Sequence, residues 1–153
     1  MTVTGAKRAP NGTFDANLEF KDAGLVAASA AAQVDSAAQV VDVGTGLFKG
    51  CMIIDVAALE IASNTEIYDI IVQGSTVAAF ATDTAIVELA ALNLSAAEVK
   101  RSDCNKDDST GRYKIHFDNE NDGTYYRYLR LYTVVAGDVA TGINYSAYCV
   151  PDN

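Results

Sequence analysis

Between Ala38 and Val150, apolar and polar residues alternate in short runs, and each run ends at turn chemistry. Ala38 to Val43 stops at Gly44-Thr-Gly46. Gly50 to Leu59 sets Met52, Ile54 and Val56 against Ile53, Asp55 and Ala57. Glu66 to Gln73 sets Tyr68, Ile70 and Val72 against Ile67, Asp69 and Ile71, then meets Gly74-Ser75. Successive side chains of a strand point to opposite faces, so this period of two predicts half-buried strands. Arg112 to Asp118, Arg127 to Ala136 and Gly142 to Val150 add three more. Ala85 to Leu94 fits strand or helix, and Ser95-Ala-Ala-Glu98 has the spacing of a capping box, which predicts a short helical turn. Lys100 to Gly111 is a polar loop. Many short strands without alternating helices predict an all-β, antiparallel sandwich of the jelly-roll kind.

Upstream the pattern weakens. Met1 to Gly12 carries Lys7-Arg8 and Pro10-Asn11-Gly12, the composition of an extended N-terminal arm. Phe14 to Val34 contains an alanine-rich run, Ala27 to Ala32, of high helix propensity, but no stripe of large apolar residues at helical spacing, so it reads as mostly extended. The expected organisation is an arm and lead-in over residues 1–34, then one domain over 35–153. Phe14 and Phe20 are large apolar residues in an otherwise small and polar segment. They predict an arm that packs on a neighbouring subunit.

Composition agrees with one strand-rich domain. A chain of 153 residues can bury roughly 70% of its unfolded surface. Alanine supplies 25 of the 76 apolar residues, which limits the large core side chains, and valine plus isoleucine, at 24, outnumber leucine at 9. A net charge of −9 excludes a phosphate-tracking surface, because nucleic-acid binders need clustered lysine and arginine. The N-terminus lacks the apolar core of a signal peptide, and no run approaches the roughly 20 apolar residues of a membrane helix. The expectation is a soluble protein made in a cytoplasm, where the triplets at Asn11, Asn93 and Asn144 are not glycosylated. Cys51, Cys104 and Cys149 are odd in number and far apart, which indicates neither a disulfide framework nor a zinc site. Cys51 and Cys149 read as buried thiols, and Cys104 as exposed in its loop.

The stretch DNENDGTYYRYLRLYTVV, from Asp118 to Val135, carries the candidate chemistry. Its first half imitates a calcium loop, with Asp118, Glu120 and Asp122 ahead of Gly123. The twelfth position, where a bidentate glutamate belongs, is Leu129. The acids therefore read as a solvated turn in which Gly123 supplies positive φ, and no metal or cofactor is expected. The single histidine, His116, shares a strand phase with Arg112, Lys114 and Asp118 and points to solvent, which does not suit a catalytic triad. Asp55 and Asp69 would form a carboxylate pair only if their strands were neighbours. VGTGLFKG lacks the phosphate-loop pattern. No catalytic residue is expected.

Tyrosine placement is the unusual feature. Seven of the eight tyrosines lie between Tyr113 and Tyr148, and Tyr125, Tyr126, Tyr128 and Tyr132 are interleaved with Arg127 and Arg130. Tyrosine and arginine are enriched at interface hot spots because they combine apolar area with hydrogen bonding. The candidate interface residues are Phe14, Phe20, Tyr125, Tyr126, Tyr128, Arg130 and Tyr132.

The run GTYYRYLRLYTVVAGDVATGINYSAYCV, with GRYKIHFDNEN before it and IIVQGS earlier, resembles the small jelly-roll cement proteins of tailed bacteriophages, of the type described for Bordetella podophage capsids. The strand Arg127-Tyr-Leu-Arg-Leu131 and the turn after it match best, and the likeness extends through KDAGLVAASAAAQVDSAAQVVDVG. The Lys100 to Gly111 loop and the Met1 to Gly12 arm depart from it. The resemblance implies a capsid-decorating protein on the outer surface of the virion, made in the host cytoplasm. It would bind the phage major capsid protein and itself, as a homodimer or a trimer. A carbohydrate-binding sandwich, with exposed tyrosines stacked on sugar rings, is the main alternative. A hydrolase on the same scaffold is the lesser one.

Overall fold

The computed structural model describes residues 14–81, 86–100 and 108–152. One turn of 3-10 helix, Ala16–Leu18, is capped by Asp15, whose carboxylate accepts the Asn17 amide at 2.9 Å. The strands then follow as β1 (Glu19–Val26), β2 (Ala30–Ala31), β3 (Gln33–Val34), β4 (Ala37–Ala38), β5 (Val41–Asp42), β6 (Lys49–Leu59), β7 (Ile67–Ser75) and β8 (Ile86–Ser95). After a single helical turn, α1 (Ala97–Lys100), come β9 (Gly111–Asp118), β10 (Glu120–Asn121), β11 (Thr124–Tyr125), β12 (Tyr128–Ala136) and β13 (Ile143–Pro151).

These strands build an all-β sandwich in which every pairing is antiparallel. One sheet has the order β1-β13-β6-β9. The other has the order β2-β12-β7-β8, with β5 also paired to β12. Taken in chain order, β1, β2, β6, β7, β8, β9, β12 and β13 alternate between the two sheets except at the β7–β8 hairpin.

The core lies between the two inner faces and follows the period of two. Met52, Ile54 and Val56 of β6 and Tyr145, Ala147 and Cys149 of β13 meet Tyr68, Ile70 and Val72 of β7 and Leu129 and Leu131 of β12. All are buried. One hydrogen bond crosses this apolar layer, where the hydroxyls of Thr133 and Tyr145 lie 2.6 Å apart. Behind Tyr145, the ammonium of Lys21 stands 4.7 Å from the ring centroid. It donates to the carbonyls of Asp22, Gly24 and Tyr145 at 2.8, 3.1 and 3.1 Å. Burial lowers the pKa of Lys21, and three carbonyls match its three protons. The β1–β13 register shifts on both sides of Lys21, and this irregularity turns the side chain inward.

Gly142 allows β1 and β13 to approach. At φ +91°, a Cβ there would fall 2.0 Å from the Val26 carbonyl oxygen.

Several expectations change. Residues 14–34 are mostly extended, as the pattern predicts, apart from the 3-10 turn, but β1 is a full member of the first sheet and not part of a detached lead-in. Phe20 has no exposed surface and belongs to the core of its own chain, so it is not a contact for a neighbouring subunit. The Gly74-Ser75 pair lies inside β7, where Ser75 pairs with both Tyr128 and Ile86. Ala85 to Leu94 resolves as strand over Ile86–Ser95, and a helical turn follows as α1, although the Ser95 amide donates to Asp108 and not to Glu98. Cys51 and Cys149 are buried free thiols, and burial pushes Cys149 up to about 12. The Met1 to Gly12 arm and Cys104 lie outside the described residues.

Phe20 makes the role of β1 measurable. Phe20→Ala is expected to cost about 3–5 kcal/mol in denaturant unfolding, and a chain starting at Ala31 is expected to lose cooperative melting by circular dichroism. A shortened chain that melts as the full one does would contradict this placement.

Candidate functional site

Strand β12 buries Leu129, Leu131 and Thr133 and therefore turns Tyr128, Arg130 and Tyr132 to the outer face of the second sheet, each half-buried. Across β7 they stand opposite Ser75, Gln73 and Ile71. Three of the seven candidate interface residues are thus assembled into one row by strand geometry alone.

Arg130 is the centre of that row. Its Nε donates to the side-chain oxygen of Gln73 at 2.9 Å. Its guanidinium carbon lies 4.4 Å from the centroid of the Phe80 ring and 5.4 Å from that of Tyr132. Partial burial lowers the Arg130 pKa from its usual value. Phe80 reaches it through a tight loop in which the Val77 amide donates to Ser75 Oγ at 3.0 Å and the Phe80 amide to the Val77 carbonyl at 3.3 Å. At φ +48°, Phe80 occupies left-handed backbone that bulky residues rarely adopt.

At the start of the row, Arg127 forks Asp42 of β5 with bonds of 2.9 and 2.8 Å and lies 5.3 Å from the Tyr128 ring centroid. The hydrogen bond from Arg127, helped by the Gly44 amide, holds the Asp42 carboxyl down at about 2.

The other candidates lie elsewhere. Tyr126 packs over Gly74 on the core side, where a Cβ would come 2.8 Å from the tyrosine Cβ. Tyr125 is 49% exposed in the β10–β11 hairpin. Phe14, 54% exposed, meets the Tyr148 ring edge-on at 5.6 Å, beside Cys51, Ile53 and Val150 on the outer face of the first sheet. Phe20 is in the core.

The acidic stretch spends its groups on its own backbone. Asp122 and Gly123, at φ +51° and +76°, form the two-residue turn between β10 and β11. The Asp118 carboxylate accepts the Glu120 amide at 3.1 Å, and Glu120 accepts the Gly123 amide at 2.6 Å. Asn119 is fully buried and pins three segments together, accepting from the Phe48 amide at 2.7 Å and donating to the Gly46 and Tyr126 carbonyls at 3.0 and 3.1 Å. His116 is exposed on β9, with Nδ1 3.0 Å from Asp152. Asp55 and Asp69 lie in different sheets, bonded to Arg112 and Asn93 respectively, and do not form a pair.

Phe80, Gln73 and Asp42 are the members of the site that sequence reasoning did not identify. Phe80 stands in a loop without periodicity, and Asp42 meets Arg127 across 85 positions. Only Gln73, a polar residue at the end of an apolar strand, left a local signal.

A cavity of about 370 Å³ also opens between β1 and the segment after it. Six alanines are among its lining residues, and it reaches Lys21 and Thr133, whose polar groups are already engaged in the core.

No protein-family model matches the chain, and no curated protein matches it.

The Asp42–Arg127 fork has a pH signature. The folded carboxyl titrates near 2, below the unfolded value of about 3.9. Its stabilisation is therefore complete above the unfolded value and is lost as pH falls through about 2. Carboxyl-carbon NMR is expected to place the Asp42 midpoint near 2, and Arg127→Met to move it up toward 4. An unchanged midpoint in the variant would contradict the assignment.

Proposed function

We propose that this chain is a capsid-decorating cement protein. It sits on the outside of a tailed-phage head, bridges neighbouring copies of the major capsid protein and stabilises the shell. The observation that carries this reading is the Tyr128, Arg130 and Tyr132 row on the outer face of β12, an arrangement of hot-spot residues at the middle of an open sheet face. The likeness of the C-terminal run to phage cement proteins supports it. So does the strand order, in which β1, β13, β6 and β9 face β2, β12, β7 and β8 as in a double Greek key, and the sandwich is on this reading a jelly roll. The protein is taken to act as a homodimer.

Sedimentation with DNA-filled heads of the parent phage tests the proposal. Wild-type protein is expected to pellet with the heads at saturable stoichiometry. Tyr132→Ala should weaken binding about tenfold or more while the melting transition is retained. Failure of the wild-type chain to bind heads would end the capsid reading, and selective binding to a glycan array would point instead to sugar recognition.

A further inference from the structure

Three arginines lie within the described residues, and two of them hold a carboxylate in a fork. Arg112 grips Asp55 at 2.7 and 2.9 Å, and Arg127 grips Asp42 at 2.9 and 2.8 Å. Arg130 differs from both. Its Nε is bonded to a neutral amide, and among the described residues its terminal nitrogens have no carboxylate.

Acids are abundant in this chain, with 20 Asp and Glu against 11 Lys and Arg, yet among the described residues none forms an ion pair with Arg130. Its neighbours on the outer face are Tyr128 and Tyr132 on its own strand and Ser75, Gln73 and Ile71 across β7. The first acid in its row is Glu88 of β8, on the far side of Gln73.

The guanidinium is nonetheless fixed in place. Phe80 and Tyr132 stack on it and Gln73 holds Nε, so its plane and direction are set before any ligand arrives. Phe80 keeps a left-handed backbone to make its contact. Such strain persists where surrounding structure over-determines it, and it clusters at ligand clamps. An arginine ordered in advance loses less entropy per bond formed on binding.

We infer that Arg130 is the centre of a carboxylate-binding subsite, whose terminal N–H groups, without a carboxylate among the described residues, receive an Asp or Glu side chain of a protein partner beside Phe80 and Tyr132. A planar fork matches a planar carboxylate through two parallel bonds. The net charge of −9 disfavours a polyanionic strand across the same face. This deepens the proposed interface, on which the identity of the partner rests; the subsite itself is tested without capsids.

The probe is sodium acetate, titrated into the full-length protein against sodium chloride at matched ionic strength, with the arginine Nε–Hε signals followed by NMR. The Arg130 signal is expected to shift saturably while those of Arg112 and Arg127, already paired, stay in place. A static Arg130 signal, or equal movement of all three, would overturn the inference. A stronger response to inorganic phosphate than to acetate would overturn the carboxylate class. Arg130→Met retains the aliphatic stem and is expected to keep the melting transition but to lose head binding at least tenfold, with Arg130→Lys recovering little. If wild-type protein ignores heads while the acetate response persists, the capsid reading fails and the subsite stands.

Discussion

The hydroxyl pair of Thr133 and Tyr145, 2.6 Å apart in the centre of the sandwich, sets the phase of the strand on which the proposed function depends. Both residues are essentially without solvent contact, and each would leave a stranded polar group if the other were displaced. An unsatisfied buried hydroxyl costs about 1–3 kcal/mol, so Thr133 is held inward. Period two then turns Tyr132, Arg130 and Tyr128 outward. A slip of one position would push the Arg130 guanidinium into the core and expose Leu129 and Leu131. Lys21 supports the same point from behind, with its charge satisfied by carbonyls and by the Tyr145 ring.

Two glutamates organise turns. Glu60 accepts the amides of Ala140, Thr141 and Gly142 at 3.0, 2.6 and 2.7 Å, and these bonds, that of Gly142 foremost, lower its pKa. Burial works to raise Glu66, but hydrogen bonds from the Ser63, Glu66 and Thr65 amides and the Ser63 side chain together lower it. Each acid fastens a loop between the sheets to an adjacent strand end. Arg130, by contrast, holds no carboxylate among the described residues, and this is the ground of the proposed subsite.

Much of the sandwich was legible because alternation survives wherever a strand has one wet face. The alternating sets read from β6 and β7 fall on opposite faces of their sheets, and His116 lies among the outward residues of β9 as expected. Phe20 was misread because the irregularity around Lys21 breaks the alternation of β1, so a core strand looked like an arm with isolated apolar residues. The tyrosine cluster was visible but not its division. Tyr126 precedes the start of β12 and turns to the core over Gly74, whereas Tyr125 stays in the hairpin. Phe80 was beyond reach of any pattern, because its position depends on a loop backbone that local sequence does not encode.

Hydroxyl-radical footprinting of the protein free and bound to heads tests the central claim most directly, since it reads side-chain cover residue by residue. The account predicts protection of Tyr128 and Tyr132 on the outer face of the second sheet, with Phe14 and Tyr148 on the first sheet oxidised as before. Protection confined to Phe14 and Tyr148 would place the interface on the opposite face and contradict the account.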